Sequence, residues 1–387
     1  MNSFEFYNPV RVIFGNDKMD RLGELAAQYG KKALLVKQKS KSLERLGIYD
    51  RAKKLLIDAG MEVYELEGVV PNPRISSVRE GAEICKKNGI DIVIAVGGGS
   101  CIDCAKAICI AAKDDGDVWD FFTLKRTAKD ALPLGVVSTL AGTGSEMNVN
   151  AVITNEETKK KWSIHYEMLY PKFAIIDPKL QLSVSPKVTA ATAFDIVSHC
   201  LESYFDSCPN TPLQDGIDET IMRTTMECAR ILVKTPDDLE ARTNFCWCST
   251  LALNGLTDAG KNGDPYDAHT IEHEIGALYD VPHGEGLAVV QPAWLKVKAK
   301  KDPRKFVQLA ERVFGIDKSG KEDLEVAFEA IDALKQWAKE IGNRTTLKEL
   351  GVEKDRLEEI VEGILSNPEG RNLDRNDVME ALLDCYE

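Results

Sequence analysis

Apolar runs and segments with helical periodicity alternate along the first half of the chain. Short apolar or alternating runs predict strands at 31–37, 61–67, 90–96 and 132–138. Apolar positions spaced three and four residues apart predict intervening helices at 42–60, 77–89 and 101–112. This strand–helix order favours a mostly parallel, doubly wound sheet.

The pattern changes near residues 178–186. Short alternating segments between Val149 and Asp177 predict additional strands, whereas Pro186 begins a long stretch with helical patterns. Turn-forming residues occupy the boundary. The predicted organisation is therefore an α/β domain at 1–184 and an all-helical domain at 185–387.

Composition narrows the range of partners and compartments. The chain has 387 residues, 44% of them hydrophobic and 29% charged, with a net charge of −13. A strongly acidic chain disfavours nucleic acid and anionic membranes as partners and favours a small molecule. The absence of a secretion signal or a membrane-length apolar run predicts a cytoplasmic protein, and the ten cysteines are then expected to be reduced core residues.

Four of the five histidines occur near Asp195 or in one short stretch further along. Asp195 and His199 are four residues apart, as are His269 and His273, so each pair lies on one face of a predicted helix. His283 follows in a Pro-His-Gly turn. A carboxylate with several imidazoles can hold a divalent cation and leave a position open for substrate, which indicates a catalytic metal site.

Two loops at the ends of predicted strands are rich in small residues. Gly97–Ser100 precede a helix that contains Asp103, and Ser138–Glu146 supply further glycines and hydroxyls. Backbone N–H groups at such a helix start can bind a pyrophosphate. Ser100 and Asp103 also fit a capping box, an alternative structural interpretation of the first loop that is compatible with phosphate binding. Together, the loops favour a nucleotide site.

These segments resemble the group III, or iron-containing, alcohol dehydrogenases, and within them the butanol dehydrogenase-like branch. The resemblance extends over nearly the whole chain. The segments that carry it are GGGSCIDCAK (97–106), STLAGTGSEMN (138–148), the helix with Asp195 and His199, NGLTDAG (254–260) and AHTIEHEIGALYDVPHGEGLA (268–288).

The resemblance implies a metal-dependent oxidoreductase that transfers hydride between a nicotinamide cofactor, NADP(H) or NAD(H), and short-chain primary alcohols or aldehydes. It implies a dinucleotide-binding first domain, one Fe²⁺ or Zn²⁺ ion, and a homodimer or higher homo-oligomer. The implied metal ligands are Asp195, His199, His269 and His283, with His273 as a catalytic residue near the substrate. The implied cofactor-binding positions are Gly97, Gly98, Gly99, Ser100, Asp103, Thr139, Thr143, Ser145, Asn72 and Lys161.

Cofactor choice is predicted from charge rather than from a matched motif. The segment after the second strand contains Lys37, Lys39 and Ser40 and no acidic residue. An acid there would select the free ribose hydroxyl, whereas cations and small donors accept a 2′-phosphate. The segment therefore predicts a preference for NADP(H), with a solvated basic loop as the alternative.

Three other functions fit parts of the sequence. His269–His273 match H-x-x-E-H, the pattern of some zinc metallohydrolases, in which the glutamate activates water. Dehydroquinate synthases and glycerol phosphate dehydrogenases share the expected architecture but need a basic phosphate pocket, whereas Met147, Asn148 and Leu256 favour a neutral substrate. A metal-binding module without catalytic activity is the third alternative.

Overall fold

The chain divides into an α/β unit and a helical unit in the computed structural model, which describes residues 1–387. The α/β unit comprises Tyr7–Val184 and Asp237–Asn254. The helical unit comprises Met1–Phe6, Ser185–Pro236 and Gly255–Glu387. The predicted fold class is confirmed. The predicted division at 184/185 did not anticipate that residues 1–6 belong to the helical unit and residues 237–254 to the α/β unit.

Six parallel strands form the main sheet, and two further strands form a separate antiparallel pair. The strands are β1 (Arg11–Phe14), β2 (Lys32–Gln38), β3 (Glu62–Val69), β4 (Ile92–Gly97), β5 (Leu134–Ser138), β6 (Asn150–Asn155), β7 (Lys160–His165) and β8 (Phe173–Ile176). The order in the main sheet is β1-β8-β5-β4-β2-β3, and β6 pairs with β7. Every residue of the central strands β4 and β5 is buried, which explains their continuous apolar runs.

The helices dominate the second half of the chain, as predicted. They are α1 (Leu22–Ala26), α2 (Lys41–Arg45), α3 (Ile48–Asp58), α4 (Ile75–Asn88), α5 (Gly99–Ala111), α6 (Trp119–Phe122), α7 (Pro186–Tyr204), α8 (Pro212–Leu232), α9 (Leu239–Ala252), α10 (Asp267–Tyr279), α11 (His283–Lys301), α12 (Arg304–Leu309), α13 (Asp323–Glu340), α14 (Leu347–Leu350), α15 (Leu357–Ser366) and α16 (Arg375–Asp384). None of these helices combines the length and the apolar composition that a membrane span requires.

The single helix predicted at 42–60 is interrupted, and this part of the prediction is wrong. Gly47 adopts φ 66° between α2 and α3. A left-handed backbone conformation cannot continue a right-handed helix, so the chain changes direction there.

Two buried clusters cover the two faces of the main sheet. One cluster contains Leu34 and Val36 from β2 with residues of α4 and α5, and the other contains Leu35 from β2 with residues of α1 and α3. Adjacent side chains of a strand point to opposite faces, so one strand contributes to both clusters. The sheet is therefore covered by helices on both sides and presents its loops at the strand ends.

All ten cysteines are free and buried, so the interpretation of Cys101 and Cys104 as core residues is confirmed. Burial raises the pKa of Cys85 to about 12 and of Cys101 to about 12, and raises that of Cys104 and Cys109 well above the usual value. These thiols stay protonated in the fold where an unfolded chain would already ionise.

Alkaline pH should therefore destabilise the α/β unit. A thiol whose pKa is higher in the folded than in the unfolded state contributes its full stabilisation below about pH 8.5. That contribution to the free energy of unfolding is lost as pH rises towards 12, at about 1.4 kcal/mol per thiol and pH unit. Lys106, whose pKa burial lowers to about 8, acts in the opposite direction but is one group against four. The denaturant midpoint of the wild-type protein should be lower at pH 10 than at pH 8, and the decrease should be smaller in Cys104→Ala. Equal wild-type midpoints at the two pH values would contradict this expectation.

Candidate functional site

Asp195 and the histidines converge within the helical unit. α7 carries Asp195 and His199 on one face, and α10 carries His269. Asp280 ends α10 at φ 51° and Pro282 precedes α11, so the chain reverses within a few residues. This reversal brings His283, the first residue of α11, back to the other three side chains.

The Asp195 Oδ1 atom lies at the centre of this cluster. It is 3.6 Å from His199 Nε2, 3.7 Å from His269 Nε2 and 3.6 Å from His283 Nε2. These separations exceed hydrogen-bond length, but four ligands held tetrahedrally at about 2.1 Å from one cation lie about 3.4 Å apart. Asp195 Oδ1 and His269 Nε2 are also buried without a hydrogen-bond partner. The four side chains therefore fit a divalent cation.

The electrostatics of the cluster favour a positive charge beside Asp195. Burial lowers the pKa of His199 to about 3, so this imidazole is neutral and able to act as a ligand. Burial also opposes charge on His269, but contacts with Asp195 and Glu202 outweigh burial and raise its pKa to about 9. Binding of a divalent cation would supply the charge that Asp195 favours and release the proton of His269.

Two carboxylates that the sequence reasoning did not assign contact the outer sides of the histidines. Glu272 Oε2 is hydrogen-bonded to His283 Nδ1, and Glu202 Oε1 lies 3.8 Å from His269 Nδ1 while accepting from the Ala268 N–H. Such carboxylates fix the orientation and tautomer of a metal-binding imidazole. Helical spacing could have revealed Glu202, because it lies seven residues after Asp195 on the same face.

The position of Glu272 argues against the metallohydrolase alternative. In that pattern both histidines bind the metal and the glutamate activates water. Here Glu272 is fully buried and its carboxylate is bound to His283, a residue outside the motif. Glu272 therefore supports a histidine instead of facing a water molecule.

Glu272→Gln should weaken metal binding about 10–100-fold while leaving the four direct ligands in place. The amide keeps the size of the carboxylate but loses the charge that orients His283. Glu274→Gln is the matched control, because Glu274 is a buried carboxylate of the same helix that packs against Gly363. Chelator competition gives the affinities, and equal values for Glu272→Gln and wild type would contradict the role.

His273 lies beside the cluster rather than around Asp195 Oδ1. Its ring centroid is 5.5 Å from that of His283. Ligand atoms of Glu272, His273 and His283 also lie within 4.8 Å of one another, so proximity alone permits a second metal grouping. Because Glu272 contacts the Nδ1 atom of His283, and the Nε2 atom of His283 points to Asp195, the first grouping fits better.

The two small-residue loops lie side by side at the ends of β4 and β5. Gly97 is in register with Ser138, and the Thr139 N–H donates to the Gly97 carbonyl at 3.0 Å. A Cβ atom on Gly99 would lie 2.4 Å from Thr143 Oγ1. The absence of a side chain at Gly99 is thus required for the packing of one loop against the other.

Asp103 and Ser145 link the second loop to α5. Ser145 Oγ donates to Asp103 Oδ1 at 2.6 Å, and the buried Lys106 Nζ donates to Ser145 Oγ at 2.8 Å. The capping-box alternative is wrong, because α5 begins after Gly98 without a side-chain cap. Asn148 also accepts from Lys106, at 2.9 Å, so its side chain supports the loop. That Asn148 favours a neutral substrate stays a prediction.

Asn72 and Lys161 lie on opposite sides of Thr154. Asn72 adopts φ 50° in the turn before α4, and the next residue's carbonyl accepts from the Thr154 N–H at 2.8 Å. Lys161 of β7 pairs with Thr154 in β6. Both predicted cofactor positions are buried. They therefore belong to one corner of the α/β unit.

Residues 37–40, at the end of β2 and directly after it, are less basic than their sequence suggests. Lys37 Nζ is 2.5 Å from Glu65 and 2.5 Å from Glu67. Burial opposes its charge, but these ion pairs outweigh burial and raise the pKa of Lys37. Ser40 Oγ caps α2 by accepting from Leu43 N–H, whereas Lys39 is exposed. Of the two lysines predicted to favour a 2′-phosphate, Lys37 and Lys39, only Lys39 is therefore exposed.

Two family models match the chain. One, described as iron-containing alcohol dehydrogenase, matches residues 9–178, and the other, described as the C-terminal part of the Fe-containing alcohol dehydrogenase family, matches 189–386.

Individual relatives are similar over their full lengths. A probable NADH-dependent butanol dehydrogenase 1 of Bacillus subtilis is 42% identical, with 99% of each chain covered. NADH-dependent butanol dehydrogenase A of Clostridium acetobutylicum is 40% identical, with 100% of each covered. The crystal structure of NADH-dependent butanol dehydrogenase A from Thermotoga maritima has a TM-score of 0.95 at 38% identity, covering 100% of this chain and 99% of that one.

Proposed function

Because the chain belongs to the iron-containing alcohol dehydrogenase family, we propose that it transfers hydride between a nicotinamide cofactor and short-chain primary alcohols or their aldehydes. The observation that carries the proposal is the buried Asp195 carboxylate, which has three imidazole nitrogens 3.6–3.7 Å from one oxygen. The butanol dehydrogenases similar over their full lengths support the substrate class.

Asp195, His199, His269 and His283 would hold one divalent cation. A set of one carboxylate and three imidazoles accommodates Fe²⁺ or Zn²⁺, since no thiolate imposes a preference for the softer ion. A cation there supplies Lewis-acid chemistry, which lowers the pKa of an alcohol or polarises a carbonyl. Glu272 and Glu202 would keep the imidazoles oriented towards Asp195 Oδ1.

His273 would move the proton that alcohol oxidation releases. Its Nδ1 atom is fully enclosed, so Nε2 is the atom that would exchange a proton with substrate or solvent. An imidazole is suited to this role, because its ordinary pKa lies near neutral pH.

The start of α5 would bind the cofactor pyrophosphate. The 13-residue helix begins at Gly99, and the N–H groups of its first turn combine with the partial positive charge of the helix end. Gly98 N–H donates to Gln38 Oε1 at 2.8 Å and is therefore already used. Thr139 and Thr143 would supply hydroxyls from the second loop, while Asp103 and Ser145 would keep that loop in place. A nicotinamide cofactor bound there would supply the hydride-transfer chemistry.

The observations that bear on the choice between NADP(H) and NAD(H) point in opposite directions. Lys39 favours a 2′-phosphate, whereas the ion pairs of Lys37 remove the second predicted cation. The similar butanol dehydrogenases are named as NADH-dependent. We propose that the enzyme accepts both cofactors and that Lys39 is the residue that favours NADP(H).

Lys39→Ala should lower kcat/KM for NADPH at least tenfold relative to NADH, because a charge-assisted hydrogen bond to phosphate contributes about 1.5–3 kcal/mol. Lys54→Ala, which removes an exposed lysine of α3 paired with Asp58, should leave the ratio unchanged. An unchanged ratio in Lys39→Ala would show that this lysine contacts only water.

Reduction of butanal tests the function directly. Enzyme loaded with Fe²⁺ or Zn²⁺ should oxidise NADH or NADPH when butanal is added, and butan-1-ol should accumulate in equal amount. Glycerol phosphate and peptides serve as substrates for the alternative functions. Turnover of either of these, without reduction of any short aldehyde, would contradict the proposal. The expected homo-oligomer remains a prediction that light scattering would check.

A further inference from the structure

Four charged side chains meet near the carboxyl ends of β2 and β3. Lys37 Nζ lies 2.5 Å from Glu65 Oε2 and 2.5 Å from Glu67 Oε1, and Glu65 also binds Lys53 of α3. We call these four residues the β2–β3 charge cluster. Its two positive and two negative charges cancel, so it presents no net attraction to an anion.

The cluster lies next to β4, the strand that leads into the glycine loop, residues 97–100. β2 is the hydrogen-bonded neighbour of β4, and the Gln38 side chain accepts from the Gly98 N–H at the end of β2. In parallel dinucleotide-binding sheets, the residue after the neighbouring strand meets the 2′ position of the adenosine ribose. If the glycine loop binds pyrophosphate, as proposed above, the β2–β3 charge cluster is close to the group that distinguishes NADPH from NADH.

Lys37 is poorly placed to bind a phosphate while its two carboxylate partners remain. Its side chain is 13% exposed, whereas that of Glu67 is 72% exposed. A 2′-phosphate that binds Lys37 would have to displace the Glu67 carboxylate from it. The phosphate and this carboxylate, both negatively charged, would then lie close together. Like charges at short range disfavour binding, and this repulsion decreases with salt.

We propose that Glu65 and Glu67 restrict the use of NADPH by holding Lys37 in ion pairs, which makes them specificity-determining residues for the cofactor. The inference rests on the proposed function. It concerns the ratio between the two cofactors and does not depend on which of them the wild-type enzyme prefers.

Glu67→Gln is the most direct test, because Glu67 is exposed and its removal should not disturb folding. The ratio of kcat/KM for NADPH to that for NADH should rise about tenfold, since Lys37 gains freedom to form a charge-assisted hydrogen bond. The rise should shrink at high salt. Glu62→Gln is the matched control: Glu62 lies at the opposite end of β3, 3.9 Å from Lys32, and its loss should leave the ratio unchanged.

A second substitution tests whether Lys37 mediates the effect. In a Lys37→Gln background, Glu67→Gln should raise the ratio by much less than in the wild type. A rise of equal size in both backgrounds would overturn the role of Lys37. An unchanged ratio in Glu67→Gln and in Glu65→Gln, or an equal rise in Glu62→Gln, would overturn the inference as a whole.

Binding measurements separate this inference from the proposed function. Dissociation constants for NADPH and NADH, measured by fluorescence on the same variants, report on the ribose site without requiring turnover. A shift in their ratio without any aldehyde reduction would support the inference and contradict the proposed reaction. Failure of the wild-type protein to bind either cofactor would overturn both.

Discussion

His199→Ala should abolish metal binding and alcohol oxidation together. His199 Nε2 lies 3.6 Å from Asp195 Oδ1, and both side chains are buried, so water has little room to replace the missing imidazole. Loss of one of four ligands also leaves the Asp195 carboxylate with less compensation for its burial. Metal content and turnover measured on the same sample should both fall below detection.

His165→Ala provides the matched control for this substitution. His165 is neither a proposed ligand nor the neighbouring His273; it is exposed on β7 and hydrogen-bonded to Asn150 and Ser163. Its replacement should leave the metal and the activity intact. If His199→Ala retained stoichiometric metal and full turnover, His199 would not be a ligand.

His273→Ala should keep the metal while lowering kcat about 10²–10⁴-fold, the usual contribution of a positioned acid or base. The substitution removes a group beside the cluster and none of the four that surround Asp195 Oδ1. Loss of metal in this variant would instead make His273 a ligand and would favour the second grouping with Glu272 and His283.

Local patterns predicted much of the fold because buried parallel strands are short apolar runs. The predicted strands at 31–37, 61–67, 90–96 and 132–138 overlap β2, β3, β4 and β5. The sequence did not predict β1, whose four residues are too few to show a clear period. The inclusion of α9 in the α/β unit depends on tertiary contacts, which no local pattern records.

The histidines were easier to predict from sequence than their surroundings. A spacing of four residues is enough to place Asp195 and His199 on one face of a helix. The contact between Glu272 and His283 depends on the reversal at Asp280, and that of Lys37 with Glu65 depends on the register of β2 and β3. Register between parallel strands comes from tertiary pairing, so the sequence around Lys37 does not reveal that this lysine is held by carboxylates.

Titration of metal into the stripped enzyme tests the central claim most directly. Wild-type protein is freed of metal with a chelator, Fe²⁺ or Zn²⁺ is added in steps, and bound metal and butanal reduction are measured on each sample. Activity should rise in proportion to bound metal and reach its maximum at one equivalent per chain. Full butanal reduction by a demonstrably metal-free enzyme would contradict the account.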